Sequence, residues 1–283
     1  MKSDTLLQRH SFIEMDARAR SLALLDPGSM RELIGPFDRV SSPWLAHQGI
    51  VAQSDDGVVV AKGTFDGHST VLLAIEGAFQ GGSLGEVGGA KIAGALELAA
   101  DDNRNGIPTR AIILFETGGV RLQVANLGLA AIAEIHAAIV DLRRYQPVIA
   151  ISAGTVGCFG GMSIAAALCS YLVLTREARL GLNGPAVIEQ EAGIAEYDSR
   201  DKPFIWSFTG GQQRFDSKLA DAFVDDDALQ IRAVLQDFFR RGLPACHRSD
   251  QIQGFLARLD EVDAGVQATP EQIRAIYQKG FSA

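Results

Sequence analysis

Ile112-Ile113-Leu114-Phe115-Glu116-Thr117-Gly118-Gly119-Val120-Arg121-Leu122-Gln123 passes from a β-type apolar run, across two glycines, into a helix-type pattern. Leu122, Ala125, Leu129, Ile132 and Ala133, with His136 on the same stripe, keep helical spacing and predict a helix over 121–145. Arg143 and Arg144 suit its C-terminal end, and Pro147 stops it. The succession returns at Val148-Ile149-Ala150-Ile151-Ser152, followed by Cys158-Phe159-Gly160-Gly161-Met162-Ser163 and a small-residue helix. A third case runs from 71–75 through the glycines of 77–82 into a helix over 90–100. Strand–glycine–helix units in series predict an α/β layered fold.

Other elements extend this frame. The runs 57–61 and 69–75 flank Asp66-Gly67, a hairpin signal. Ser11-Phe12-Ile13-Glu14 resembles a helix-capping start, Asp26-Pro27-Gly28-Ser29 breaks the run, and a short helix is expected over 30–34. A strand is expected over 171–174, and mainly helix from Ser217 onward, with an acidic break at Asp225-Asp226-Asp227.

The 283 residues, 47% of them hydrophobic, can bury a full core. A formal charge of −8 argues against general binding to nucleic acid or anionic membrane. Cys158, Cys169 and Cys246 form no C-x-x-C pair, which suits a reducing compartment and gives no zinc ribbon. No apolar run reaches about 18 residues and the N-terminus lacks an apolar signal core, so a cytoplasmic protein is expected. The five histidines include no H-x-x-x-H pair, and no metal site is expected.

The glycine pairs carry the chemistry. Glycine lets a ligand oxygen approach the backbone, and a helix start offers unpaired N–H donors. Together they can stabilise an oxyanion; the plainer reading is a tight turn at Gly118-Gly119 and a packing point at Gly160-Gly161. Gly81-Gly82-Ser83-Leu84-Gly85 also holds G-x-S-x-G, the pattern of a hydrolase nucleophile, with His136 or His247 as base and Asp221 as acid. Against that, His136 on an apolar stripe reads as a satisfied core histidine. The carboxylates Glu189, Glu191, Glu196 and Asp198 read as structural or interfacial.

Three stretches resemble acyl-CoA carboxyltransferase β subunits: the one from Gly81 to Ile92, the one from Thr117 to Gln123, and Leu180-Gly181-Leu182-Asn183-Gly184-Pro185 with Val187-Ile188-Glu189-Gln190. Ala23-Leu24-Leu25-Asp26-Pro27-Gly28-Ser29 resembles the N-terminal helix and break of the same proteins. Ala125-Asn126-Leu127-Gly128-Leu129, Val156-Gly157-Cys158-Phe159-Gly160-Gly161-Met162 and Tyr197-Asp198-Ser199-Arg200 are similar to the β (D) subunits of biotin-independent malonate decarboxylases within that family.

The resemblance implies a crotonase-like spiral of repeated ββα units over 57–225, between helical segments over 1–56 and 226–283. It implies decarboxylation of malonyl-S-acyl carrier protein to acetyl-S-acyl carrier protein. No cofactor is then needed in this chain, the substrate being carried on the CoA-derived prosthetic group of the carrier. Implied partners are a homologous γ (E) subunit, an acyl carrier protein subunit and a malonyl/acetyl transferase subunit. Backbone groups at Gly118, Gly119, Val120, Gly160 and Gly161 would stabilise the enolate. Gly81, Gly82, Ser83, Lys91, Arg121 and Gln123 are the substrate-binding candidates. A biotin-dependent carboxyltransferase β subunit and a non-catalytic carrier-binding subunit are the rivals within the family. One departure stands out: the family motif ends in Glu where this chain has Val124. A carboxylate there is expected to favour the helix start, so restoring Glu is expected to stabilise.

Overall fold

In a computed structural model, which describes residues 9–43, 46–49, 56–263, 265–266 and 268–278, the apolar runs become strands of one sheet. The strands are β1 (Arg31–Leu33), β2 (Val58–Phe65), β3 (His68–Ile75), β4 (Arg110–Leu114), β5 (Val148–Ser152), β6 (Tyr171–Thr175) and β7 (Ala222–Val224). They lie side by side in chain order. β1, β2 and β3 pair antiparallel, and every later neighbour pairs parallel. The β2–β3 hairpin closes through Asp66 (φ 53°) and Gly67 (φ 75°), the left-handed pair that a two-residue turn needs.

Strand side chains alternate between two apolar layers. Ala111, Ile113, Val148, Ala150, Leu172 and Leu174 face helices α2 (Glu86–Arg104), α3 (Asn126–Leu142) and α4 (Gly161–Leu168). Ile112, Leu114, Ile149, Ile151 and Val173 face α1 (Ala17–Leu24) and α8 (Ala228–Arg241). Burial on both faces explains why these strands read as unbroken apolar runs. Between β6 and α8 lie α5 (Pro185–Ala192), α6 (Lys202–Thr209) and α7 (Gly211–Asp216); α9 (Ile252–Leu259) and α10 (Pro270–Gln278) follow.

Two carboxylates tie outlying segments to this sandwich. Buried Asp226 accepts from the N–H groups of Phe12 (2.8 Å) and Ile13 (2.9 Å) and from the Ser11 hydroxyl. Asp26 accepts from the N–H of Gly67 (2.9 Å), the Thr64 hydroxyl (2.8 Å) and Arg232 of α8 (2.6 Å).

Four expectations change, the first being that α1 begins at Ala17 with Asp16 as its N-cap rather than at Ser11, whose hydroxyl donates to Asp226. Residues 31–33 are strand rather than helix, because Arg31, Glu32 and Leu33 pair with Lys62, Ala61 and Val60. The helix expected over 121–145 starts at Asn126, after a 3-10 turn at Leu122–Val124 and a left-handed Ala125 (φ 48°). The three-residue β7 interrupts the stretch expected to be mainly helical. No helix among the described residues is long and apolar enough to cross a membrane.

Candidate active site

After the parallel strands the chain makes a second, minimal layer of pairing. Leu84 bridges Val120, Thr117 bridges Cys158 and Cys158 bridges Leu180, all parallel. Each unit is therefore strand, bridge and helix, and the bridges bring three glycine loops together. The Gly118 N–H donates to Gly81 O (2.9 Å), Leu84 N–H to Gly119 O (2.8 Å) and Arg121 N–H to Leu84 O (2.8 Å). Thr117 N–H donates to Gly157 O (2.8 Å), Phe159 N–H to Thr117 O (3.0 Å) and Gly160 N–H to Leu182 O (2.8 Å). Gly82 presses on this layer so closely that a Cβ would fall 1.9 Å from Glu116 O.

The two glycine pairs meet. A Cβ on Gly160 would stand 3.2 Å from Gly119 Cα and 3.9 Å from Val120 N. Both residues also have positive φ, 109° at Gly119 and 62° at Gly160, which side-chain-bearing residues rarely adopt. The N–H groups of Gly118, Gly119 and Gly160 are spent inside the loops, Gly119 on Thr117 Oγ1 at 3.0 Å. Those of Val120, Gly161 and Met162 donate to no acceptor among the described residues. The last two open α4, where first-turn N–H groups have no intrahelical partner. Gly119 and Gly160 thus give clearance, while the free donors belong to the residues that follow them.

Side chains fix this floor from below. His136 of α3 places Nε2 2.7 Å from Gly161 O, so the ε tautomer donates to that carbonyl. This is the satisfied, half-buried histidine expected on that stripe; its service to the start of α4 carries no sequence signal. Arg121 is buried, ion-paired with buried Asp56, and donates to Ser83 O (2.8 Å). Arg20 and Glu116 form a second buried pair, with Glu116 pressed against Gly77 and Gly154. Removing one partner of a buried pair costs about 3–5 kcal/mol, so both pairs hold the loops in place.

The remaining candidates are spread out. Gly81 is exposed at the rim and Gly82 is buried beneath it. Lys91 lies on the buried face of α2 and donates to Val58 O, and Arg121 is committed to Asp56 and Ser83. Gln123 is exposed on the turn before Ala125.

Ser83 does not have the geometry of a hydrolase nucleophile. Its backbone is ordinary extended (φ −66°, ψ 135°), and its hydroxyl donates to Gln80 O at 2.9 Å. His136 is held by Gly161 and His247 packs beside Asp250, so neither serves it. Cys158 next to the floor is fully buried, which pushes its thiol far above the ordinary range and leaves it inert. Val124 is 2% exposed, and its Cγ2 lies 3.1 Å from where a Cβ of Gly128 would be. The position is a packed apolar contact, and the gain expected from Glu is withdrawn.

A parallel-bridged spiral with backbone donors at two glycine turns defines a carboxyltransferase-type core. Residues 7–213 match the carboxyl transferase domain family, and the chain belongs to it. It is 40% identical over 221 residues to the malonyl-S-ACP:biotin-protein carboxyltransferase MADC of Malonomonas rubra, covering 75% of this chain and 70% of that one. It is 66% identical to a chain of a Pseudomonas malonate decarboxylase hetero-tetramer solved with malonate, with a TM-score of 0.93 over 98% of this chain and 100% of that one. It is 62% identical to a chain of a Pseudomonas MdcD–MdcE hetero-dimer, with a TM-score of 0.77 over 90% of this chain and 98% of that one. The fold is the crotonase-like one that the motifs implied.

Proposed function

We propose that this chain is the β-type subunit of a biotin-independent malonate decarboxylase. The observation that carries the reading is the pair of free donors, Val120 N–H and Gly161 N–H, on facing glycine loops. The thioester carbonyl of a malonyl group accepts from both. As the carboxylate leaves as CO2, the electron pair of the broken C–C bond moves onto that oxygen to give the enolate. Fixed donors bind the enolate more tightly than the ground-state carbonyl, and one donor is worth about 10²–10³ in rate. The α4 dipole adds to this at Gly161 and Met162. A proton from the partner's side of the site then gives the acetyl thioester.

A homologous second subunit completes the site in this reading. Leu122, Leu129 and Leu182 are exposed beside the floor, and α5 buries none of its residues. Apolar surface and an unpacked helix in one place suit docking of another subunit. The thioester arrives on the CoA-derived group of an acyl carrier protein charged by a transferase subunit, in the cytoplasm. Similarity to a Pseudomonas MdcD–MdcE chain supports the paired arrangement.

Similarity to the Malonomonas carboxyltransferase favours a second reading, transfer of the carboxyl group to a biotin protein over the same floor. The deciding experiment assays malonyl-thioester turnover by the chain alone, with its co-expressed partner, and with avidin added. Activity only with the partner and insensitive to avidin is expected. Full activity of the isolated chain overturns the shared site, and avidin inhibition selects carboxyl transfer.

A further inference from the structure

Beside Leu180, which bridges the glycine floor at Cys158, a small pocket carries polar groups whose hydrogen-bonding capacity the described residues leave unused. It is a pocket of about 360 Å³, open to solvent on one side, and is lined by Tyr197, Phe204, Phe208, Gln213, Arg214 and Ile273. Arg214 donates through Nε to Leu180 O at 2.8 Å, and no carboxylate among the described residues pairs with its guanidinium. The Tyr197 hydroxyl is buried with no partner among the described residues. Arg179 stands behind it, stacked against Trp206 (4.5 Å) and Phe159 (5.4 Å), its Nε likewise buried and unpartnered. Burial raises the Tyr197 phenol, while Arg179 and Arg214 pull it back, so both cations act on this hydroxyl.

The walls are apolar and ordered. Phe204 stacks edge-on to Tyr197 at 5.2 Å and packs against Phe208 at 5.0 Å. Gln213 closes one side, donating to Pro270 O (3.0 Å) and accepting from Arg274 (2.6 Å).

A desolvated cation and a hydroxyl without acceptors are costly unless a ligand meets them. A carboxylate supplies the charge and the lone pairs that a guanidinium and a phenol can share. The aromatic walls suit a flat apolar body behind it. We propose that Arg214 and Tyr197 form a binding site for a small organic monocarboxylate, separate from the backbone donors and going beyond the decarboxylase reading.

Calorimetric titration of the full chain, alone and in complex with its partner, tests this with benzoate, its neutral isostere benzamide, and acetate. Benzoate binds saturably at one site per chain in both preparations. Benzamide binds about tenfold more weakly or worse, the loss expected for a charge-assisted hydrogen bond. Acetate, lacking the apolar body, is weaker than benzoate. Arg214→Gln abolishes the preference for benzoate over benzamide, Arg214→Lys keeps part of it, and Tyr197→Phe weakens benzoate several-fold. Equal binding of benzoate and benzamide by the unmodified chain overturns the proposal without any variant having to fold. So does a benzoate affinity unchanged by Arg214→Gln, or no saturable binding at millimolar benzoate.

Discussion

Gly119 and Gly160 face each other across the candidate active site, a Cβ on either falling 3.4 Å or 3.2 Å from the Cα of the other. That mutual clearance leaves Val120 N–H open. Gly160→Ala puts a methyl 3.2 Å from Gly119 Cα and 3.9 Å from Val120 N. It also forces alanine to φ 62°, at a strain of about 1–3 kcal/mol. Turnover of the assembled enzyme is expected to fall about 10²-fold or more. Gly118→Ala, exposed and with Gly81 O at 3.3 Å as its one close neighbour among the described residues, keeps turnover within about threefold. Steady-state kinetics of the two variants side by side check the contrast.

Val124→Glu is expected to destabilise. The site is 2% exposed, with the Val124 side chain packed against Gly128, so a carboxylate there is desolvated. A cost of about 3 kcal/mol follows, lowering Tm by roughly 5–10 °C. Thermal melts of both forms at neutral pH read it directly.

Asp26 makes stability depend on acid. Burial alone would raise its pKa, but the N–H of Gly67, Arg232, the Thr64 hydroxyl and the N–H of Asp66 together hold it well below the ordinary carboxylate range. The folded state therefore binds fewer protons than the unfolded one below about pH 4. Its contribution is complete above that pH and fades as pH falls toward the folded value. Asp26→Asn lowers Tm at pH 7, and the gap to the unmodified chain narrows steadily as the melts are repeated into acid.

Ser83→Ala leaves malonyl-thioester turnover within about threefold, because the hydroxyl serves only Gln80 O and a long contact from Arg121. A loss near 10⁴-fold, with a burst of acylated protein in the parent, is the signature that would restore the nucleophile reading.

The sequence announced the glycine turns through their recurrence after apolar runs, and the β2–β3 hairpin through Asp66-Gly67. The alternating burial of β4 and β5 made the strands legible, since neighbouring positions serve opposite layers of one core. Residues 31–33 were illegible because three residues carry too little pattern, and only pairing with β2 makes them a strand. The same brevity hid β7. Within the site, Arg121 and Lys91 looked like substrate cations because charge is visible in a sequence and its partner is not. Asp56, 65 residues away from Arg121, and Val58 O claim them in three dimensions. His136 could be placed on a helix face, but its carbonyl partner depends on how α3 crosses α4.

The strand order has a consequence for biosynthesis. Each strand pairs with its immediate predecessor, so a nascent chain can add strands one at a time to an existing edge as it leaves the ribosome. No strand has to wait for a distant partner, and the loop-closure penalty stays small at each addition. Long-range ties outside the sheet, such as Arg232 on Asp26 and the clamp on Asp226, work differently, and the latter joins residues 11–13 to the far end of the sheet. It can form only after residue 226 has emerged, so residues 11–13, made before every strand of the sheet, are among the last to settle.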